Sequence, residues 1–268
     1  MGVAALLDAI AGANINGIRL ALRSRRLARE YLSQSVQRFD ELIGKGLEPR
    51  DPIGFLYERG WAVRHPAARV ELPVALETPG GTRLDELLVL AAVTRVLQPR
   101  KVFEIGTFMG RTTSVFVLNA PADASIVSMD LPLDVDVGRD APAYLETDVD
   151  LVRQRRVGSF LRELDLAHRC QQILCDSLAF DPAPHAGSVE LGFIDGAHTL
   201  RHVKNDTEKM ASMAAPTGLV FWHDYGGKGQ FRDLTRYLDD LARTIPIFRV
   251  PRTTLAWAPA DALRTIAR

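Results

Sequence analysis

From residue 83 onward the chain alternates short strand-like runs with helical ones, and this rhythm restricts the fold more than any other feature. KVFEIG (101–106), SIVSMD (125–130), CQQILCD (170–176), VELGFID (189–195) and GLVFWHD (218–224) read as strands. Between them RTTSVFVLN (111–119), LVRQRRVGSFLRELDLA (151–167) and LRHVKNDTEKMASMA (200–214) read as helices, and FRDLTRYLDDLAR (231–243) follows the last strand. Largely apolar strands joined by helical crossovers predict a parallel sheet covered on both faces. The ending breaks the rhythm: IPIFRV (245–250) and LAWAPA (255–260) are separated only by PRTT. Four residues cannot make a parallel crossover, so these two runs form an antiparallel hairpin. The expected fold is α/β, a doubly wound Rossmann-like sheet, mostly parallel with a C-terminal antiparallel hairpin, plus an N-terminal helical extension.

The domain organisation follows from the same reading. Residues 78–268 form the Rossmann-like domain, opening with a helix over RLDELLVLAAVTRVLQP (83–99). Apolar positions 84, 87, 88, 91, 93 and 97 mark its buried face, Thr82 and Asp85 form its N-cap pair, and Pro99 ends it. Residues 1–77 form an extension: helical over 1–45, then a connection rich in proline and glycine over 47–82 that reads as a lid. Arg19, Arg23, Arg25, Arg26 and Arg29 give the first part a basic helix face. The extension is expected to pack across the strand ends and to promote a homodimer.

Composition excludes several classes. Lys plus Arg equals Asp plus Glu at 33 each, so no global charge favours nucleic acid. No run approaches the ~20 apolar residues of a membrane-spanning helix. The N-terminus lacks a basic leader and carries Asp8 within its apolar stretch, which predicts a cytoplasmic protein. Cys170 and Cys175 lie five apart on one strand and point to opposite faces, so they are expected to stay reduced thiols.

In doubly wound sheets the ligand binds at the carboxyl ends of the strands. The first such end reads Glu104-Ile-Gly106-Thr107-Phe-Met-Gly110-Arg111. It lacks the middle glycine of a dinucleotide fingerprint and the Gly-Lys-Ser/Thr of a phosphate loop. Glu104 would repel a pyrophosphate and suits a cationic ligand. Asp130 closes the next strand, where an acid accepts ribose hydroxyls, and Asp176-Ser177 closes the third, suited to an adenine amino group. A ribonucleoside with a cationic tail matches this set, and S-adenosylmethionine is such a molecule. Gly106, Thr107 and Gly110 would form its cradle.

VFEIGTFMGRTT (102–113) resembles the first motif of the class I S-adenosylmethionine-dependent methyltransferases, and the terminal hairpin is similar to the end of their sheet. FIDGAHTLRHVKNDT (193–207) with LVFWHDYG (219–226) resembles a narrower group, the bacterial small-molecule and sugar O-methyltransferases that include macrocin O-methyltransferase. The resemblance covers about residues 78–258. It implies methyl transfer to a hydroxyl of a small molecule, such as a sugar or glycosylated natural product, with His198 as general base beside Asp195. It also implies a divalent metal on Asp195 and the pair His223–Asp224. Histidine at 223 departs from the acid found in the macrocin-type enzymes, so the site favours manganese, iron or zinc over magnesium, or holds no metal. Tyr225 and Lys228 follow in a loop that could reach the acceptor. The alternative reading is a non-catalytic scaffold that keeps the fold and the cofactor. A nicotinamide oxidoreductase is disfavoured by the missing fingerprint, and an amino-methylating enzyme by the lack of an Asn/Asp-Pro-Pro-aromatic tetrapeptide.

Overall fold

The computed structural model describes residues 46–63, 69–73, 81–132, 156–226 and 231–267. The expected helices of 1–45, with their arginine face, lie outside these residues, as do Lys228 and the aspartate-rich loop from 133 onward.

Among the described residues eight strands form one sheet. In chain order they are β1 (Glu48–Pro49), β2 (Lys101–Ile105), β3 (Ser125–Asp130), β4 (Cys170–Leu174), β5 (Val189–Ile194), β6 (Ala214–Trp222), β7 (Phe248–Arg249) and β8 (Ala256–Pro259). Their order across the sheet is β1-β7-β8-β6-β5-β2-β3-β4. All neighbours are parallel except β8, which runs against both β6 and β7. The expected hairpin is therefore present, and only its second strand is reversed relative to the sheet. The strand order changes direction between β2 and β5, so the loops after these two strands face each other at the switch point.

The inner strands β2, β3, β5 and β6 are buried over most of their length on both faces, as their largely apolar character requires, whereas the edge strand β4 leaves Gln171, Gln172 and Leu174 exposed. Along β2, Val102 enters one core, with Leu90, Phe116, Phe193 and Phe221, while Phe103 and Ile105 enter the other, with Val203, Met210 and Leu238. The first core is covered by α1 (Pro52–Glu58), α2 (Leu84–Leu97) and α3 (Arg111–Asn119). The second lies under α5 (Leu200–Met213) and α6 (Arg232–Leu241). Between β3 and β4 the only helix longer than one turn among the described residues is α4 (Ser159–Glu163). No helix of the described residues is long and apolar enough to cross a membrane.

Two local expectations change. Residues 47–58, read from sequence as an irregular connection, carry β1 and α1, with Asp51 accepting from the N–H groups of Ile53 and Gly54 to cap the helix. Phe55 and Leu56 then join the core beside Trp257. In α2 the expected positions 87, 91, 93 and 97 are buried, but Leu84 and Leu88 are 52% and 48% exposed, and Glu86, Leu90, Thr94 and Val96 are buried in addition. The start is also held differently. Glu86, not Asp85, reaches back to the Arg83 backbone N–H at 3.0 Å, while Thr82 bonds Thr112 at 2.7 Å. The helix is apolar on most sides, so periodicity alone could not choose between the two stripes.

Candidate active site

The glycine loop joins β2 to α3 at the switch point. Gly106 has φ +102, and a Cβ there would lie 2.0 Å from the Asp195 carbonyl oxygen at the end of β5. Glycine is required because two strand-end backbones touch, whatever ligand lies above them. Gly106→Ala is expected to cost several kcal/mol, from the clash and the backbone angle together, on the order of the largest single-residue losses. A thermal melt checks this, and an unchanged midpoint would contradict the close approach. Phe108, at φ 45, and Gly110, at φ 84, complete the left-handed turn.

The loop folds around the acids that the sequence placed at its ends. Asp130 accepts the Phe108 N–H at 2.6 Å and the Leu131 N–H at 2.7 Å. Burial raises its carboxyl above the ordinary value, against these bonds. Thr107 Oγ1 lies 2.6 Å from Ser128 Oγ. Glu104 is fully buried beneath the loop and accepts from Thr113 Oγ1 and from Ser128 Oγ at 2.5 Å. Its other oxygen, Oε1, is buried with no hydrogen-bond partner among the described residues. Burial lifts the Glu104 carboxyl to about 8, with the nearby Asp195 and Asp130 charges adding and the two hydroxyl bonds opposing. An unsatisfied buried acceptor is costly without a ligand, so Glu104 fits a group that brings hydrogen-bond donors or positive charge. At the end of β4, Asp176 caps its own turn by accepting the Leu178 N–H at 2.8 Å. The Ser177 carbonyl accepts from Asn205 Nδ2 and Lys209 Nζ.

A second cluster gathers one step along the sheet edge. Asp195 follows β5, His198 lies in the turn that leads into α5, and His223 and Asp224 follow β6. His198 Nε2 lies 3.0 Å from Asp224 Oδ2 and 3.6 Å from Asp195 Oδ1. His223 Nδ1 lies 3.2 Å from that same Asp195 oxygen and 3.4 Å from that same Asp224 oxygen. Two imidazole nitrogens and two carboxylate oxygens thus form a closed ring of short contacts. Asp224 takes φ 62 to place its carboxylate, a left-handed angle that a non-glycine residue adopts only under local constraint. The Phe231 ring stands edge-on to His198 with centroids 4.9 Å apart.

The residue that sequence reasoning missed is Glu86. It is fully buried, and its Oε2 lies 3.0 Å from His223 Nε2. Its Oε1 accepts from Thr254 N at 2.7 Å and Thr254 Oγ1 at 2.8 Å. Burial alone would raise the Glu86 carboxyl, but the His223 bond and charge outweigh it and hold the group down at about 2. Burial opposes charge on His223 too, yet the Asp195 and Asp224 carboxylates raise it well above the ordinary histidine range. Asp224 is driven well below the ordinary carboxylate range: burial opposes this, and the charges of His223 and His198 prevail. The available signal was an acid on the apolar stripe of α2. It was hidden by the choice of Leu84 and Leu88 for the buried face.

Of the expected metal set, Asp195 and Asp224 converge, but His223 turns both ring nitrogens to carboxylates. By distance alone, Asp195, His198 and Asp224 could surround an ion, each offering an atom within 4.8 Å of the others. His223 Nδ1 faces the same two oxygens while its Nε2 meets Glu86, a placement that suits either a ring bonded directly to both acids or a histidine ligand held from behind by a carboxylate. The other sequence candidates have structural partners. Tyr225 is buried, accepts the Leu47 N–H at 2.8 Å and donates to Asp239 at 2.7 Å, so its hydroxyl ties the chain before β1 to the domain.

Comparison with known proteins places this geometry. Residues 103–225 match the family described as "Methyltransferase domain". No curated protein sequence matches the chain. A solved structure from Corynebacterium glutamicum is similar at 14% identity, covering 68% of this chain and 82% of that one, with a TM-score of 0.50. The methyltransferase PaMTH1 from Podospora anserina, bound to S-adenosylhomocysteine, aligns at 13% identity over 66% of this chain and 78% of its own, with a TM-score of 0.48. The O-methyltransferase TomG from Streptomyces achromogenes, in complex with S-adenosylmethionine, aligns at 16% identity over 82% and 92%, with a TM-score of 0.44. The family match runs from within β2 to the turn after β6, and so takes in both loops of the switch point; over these residues the chain is similar to a methyltransferase domain.

Proposed function

We propose that the protein transfers the methyl group to a hydroxyl of a small molecule, a sugar or glycosylated natural product of the kind the macrocin-type enzymes accept, with His198 as general base. The observation that carries this reading is the His198 ring set against Asp224 and Asp195 at the strand edge, beside the glycine loop. When bound, S-adenosylmethionine supplies an electrophilic methyl group for in-line displacement. Glu104, Gly106, Thr107, Gly110 and Asp130 would hold it, with Asp176 and Ser177 toward its base. Removing the hydroxyl proton is then the protein's task, a role for which an imidazole near neutral pH is well suited. The charged ring holds Nε2–H against Asp224 Oδ2, and both carboxylates stabilise the imidazolium as it forms. No step of this reading passes through a divalent ion.

The first test is calorimetric titration with S-adenosylhomocysteine as a function of pH. A ligand ammonium near Glu104 favours the ionised carboxylate, whereas the ligand-free protein keeps it protonated up to about 8. Binding should therefore release a proton and tighten as pH rises toward that value, by at most ~10-fold per unit. Glu104→Gln should remove the pH dependence. One-to-one binding without any pH dependence would detach Glu104 from the donor site, and no binding would remove the donor site itself. Labelled methyl transfer to hydroxylated acceptors, but not to their amino counterparts, then tests the hydroxyl assignment.

A further inference from the structure

We propose that Asn205 and Lys209 of α5 are positioning residues for the base of the methyl donor: they hold the turn after β4 from behind, so that Asp176 meets the purine amino group. The proposal rests on the donor site described above. The turn starts beside the acid assigned to the ribose, because the Cys175 N–H donates to the Asp130 carbonyl at 2.8 Å. Neighbouring strands lie about 4.8 Å apart, so Asp176 stands one strand beyond Asp130, in the direction that leads from ribose to base. Its Oδ1 accepts the Leu178 N–H at 2.8 Å, and its carbonyl accepts the N–H groups of Ala179 and Phe180 at 2.9 and 3.0 Å. Its Oδ2 accepts no hydrogen bond from the described residues and is left for a ligand.

The next two carbonyls turn inward to α5. Lys209 Nζ donates to the Ser177 carbonyl at 2.5 Å and to the Leu178 carbonyl at 3.0 Å, and Asn205 Nδ2 donates to the Ser177 carbonyl at 3.0 Å. Asn205 and Lys209 lie four apart on the helix, so both reach the turn from one face. Beside them Asp206 is fully buried. It accepts from Asn205 Nδ2 at 2.8 Å, is hydrogen-bonded by Ser177 and feels the Lys209 charge. A half-buried turn could leave its carbonyls to water. Ordering a lysine side chain to take two of them costs conformational entropy, and its effect is to fix the place of the turn.

Base selectivity then depends on α5. The Asp176 carboxylate accepts from a purine amino group and repels a carbonyl oxygen in the same position. A turn that can shift loses this distinction, while the contacts of the donor's ribose and amino-acid parts, at Asp130 and the glycine loop, remain.

Calorimetric titration of the full-length protein with S-adenosylhomocysteine and with S-inosylhomocysteine, which carries oxygen in place of the amino group, reads the selectivity. The wild type should prefer the adenine ligand by at least ~10-fold. Lys209→Met keeps the side-chain length and removes its donors, and should cut that preference by at least ~3-fold, chiefly by weakening the adenine ligand. Asn205→Ala should act in the same direction, and Lys209→Arg, which restores donors, should recover part of the preference. Thermal melts of the same samples record stability separately. Equal weakening of both ligands in a folded Lys209→Met protein, or an unchanged preference, would overturn the proposal, as would a wild type that binds both ligands alike. If Lys209→Met does not fold, Asn205→Ala decides by the same criterion. A wild type that binds neither ligand removes the donor site and the proposal with it, whereas adenine selectivity that survives in the variants removes the proposal alone.

Discussion

Glu86→Ala is expected to destabilise the protein by about 3–5 kcal/mol, the range for breaking a buried ion pair from one side. The substitution removes the acceptor for His223 Nε2, for the Thr254 N–H and hydroxyl, and for the Arg83 N–H. Each buried donor left without a partner costs on the order of 1–3 kcal/mol unless water enters. The loss also spreads through the fold, because Glu86 joins the start of α2 to the turn of the terminal hairpin at Thr254 and to the turn after β6 at His223. Glu86→Gln keeps the shape and an acceptor oxygen, and should lose less. The pH dependence has a definite sign. The folded Glu86 carboxyl lies at about 2, below its ordinary 4.5, so its contribution is complete above about pH 4.5 and fades as pH falls toward 2. Denaturant unfolding of wild type and variant at several pH values checks both points. The gap between them should narrow in acid, and a gap below 1 kcal/mol at neutral pH would mean that Glu86 is not the anchor of this cluster.

His198→Ala should reduce turnover by about 10²–10⁴-fold, the usual contribution of a positioned general base. The fall should appear in kcat, with the affinity for S-adenosylhomocysteine retained, because the ring faces Asp224 and Phe231 rather than the glycine loop. Asp224→Asn offers the complementary test. It removes the nearest anion, at 3.0 Å from Nε2, and leaves Asp195 at 3.6 Å. It should therefore slow the reaction less than loss of the ring does. Full activity in His198→Ala would move the base elsewhere. A wild type that binds the donor product but methylates no hydroxylated acceptor would favour the scaffold reading.

Much of the fold was legible because each strand and helix carries its own period. The largely apolar character of KVFEIG, SIVSMD and VELGFID pointed to burial on both faces, and the PRTT link excluded a crossover. The acids at strand ends were legible for the same reason, since a polar residue that interrupts an apolar run at its carboxyl end has few other uses. Asp195, His198, His223 and Asp224 could be grouped because the order of a doubly wound sheet sets β5 beside β6. Their bonding could not be read. That His223 Nε2 meets an acid depends on a residue 137 positions away, Glu86 on α2. That placement turns on which side of a nearly all-apolar helix meets the sheet. The sequence by itself determined the sheet, its switch point and the residues at its edge, because those follow from local periodicity and chain connectivity. Only the tertiary structure decided the packing of α2 and, with it, the contact between Glu86 and His223, because a carboxylate and an imidazole distant in sequence meet only when the packing of one helix against the sheet brings them together.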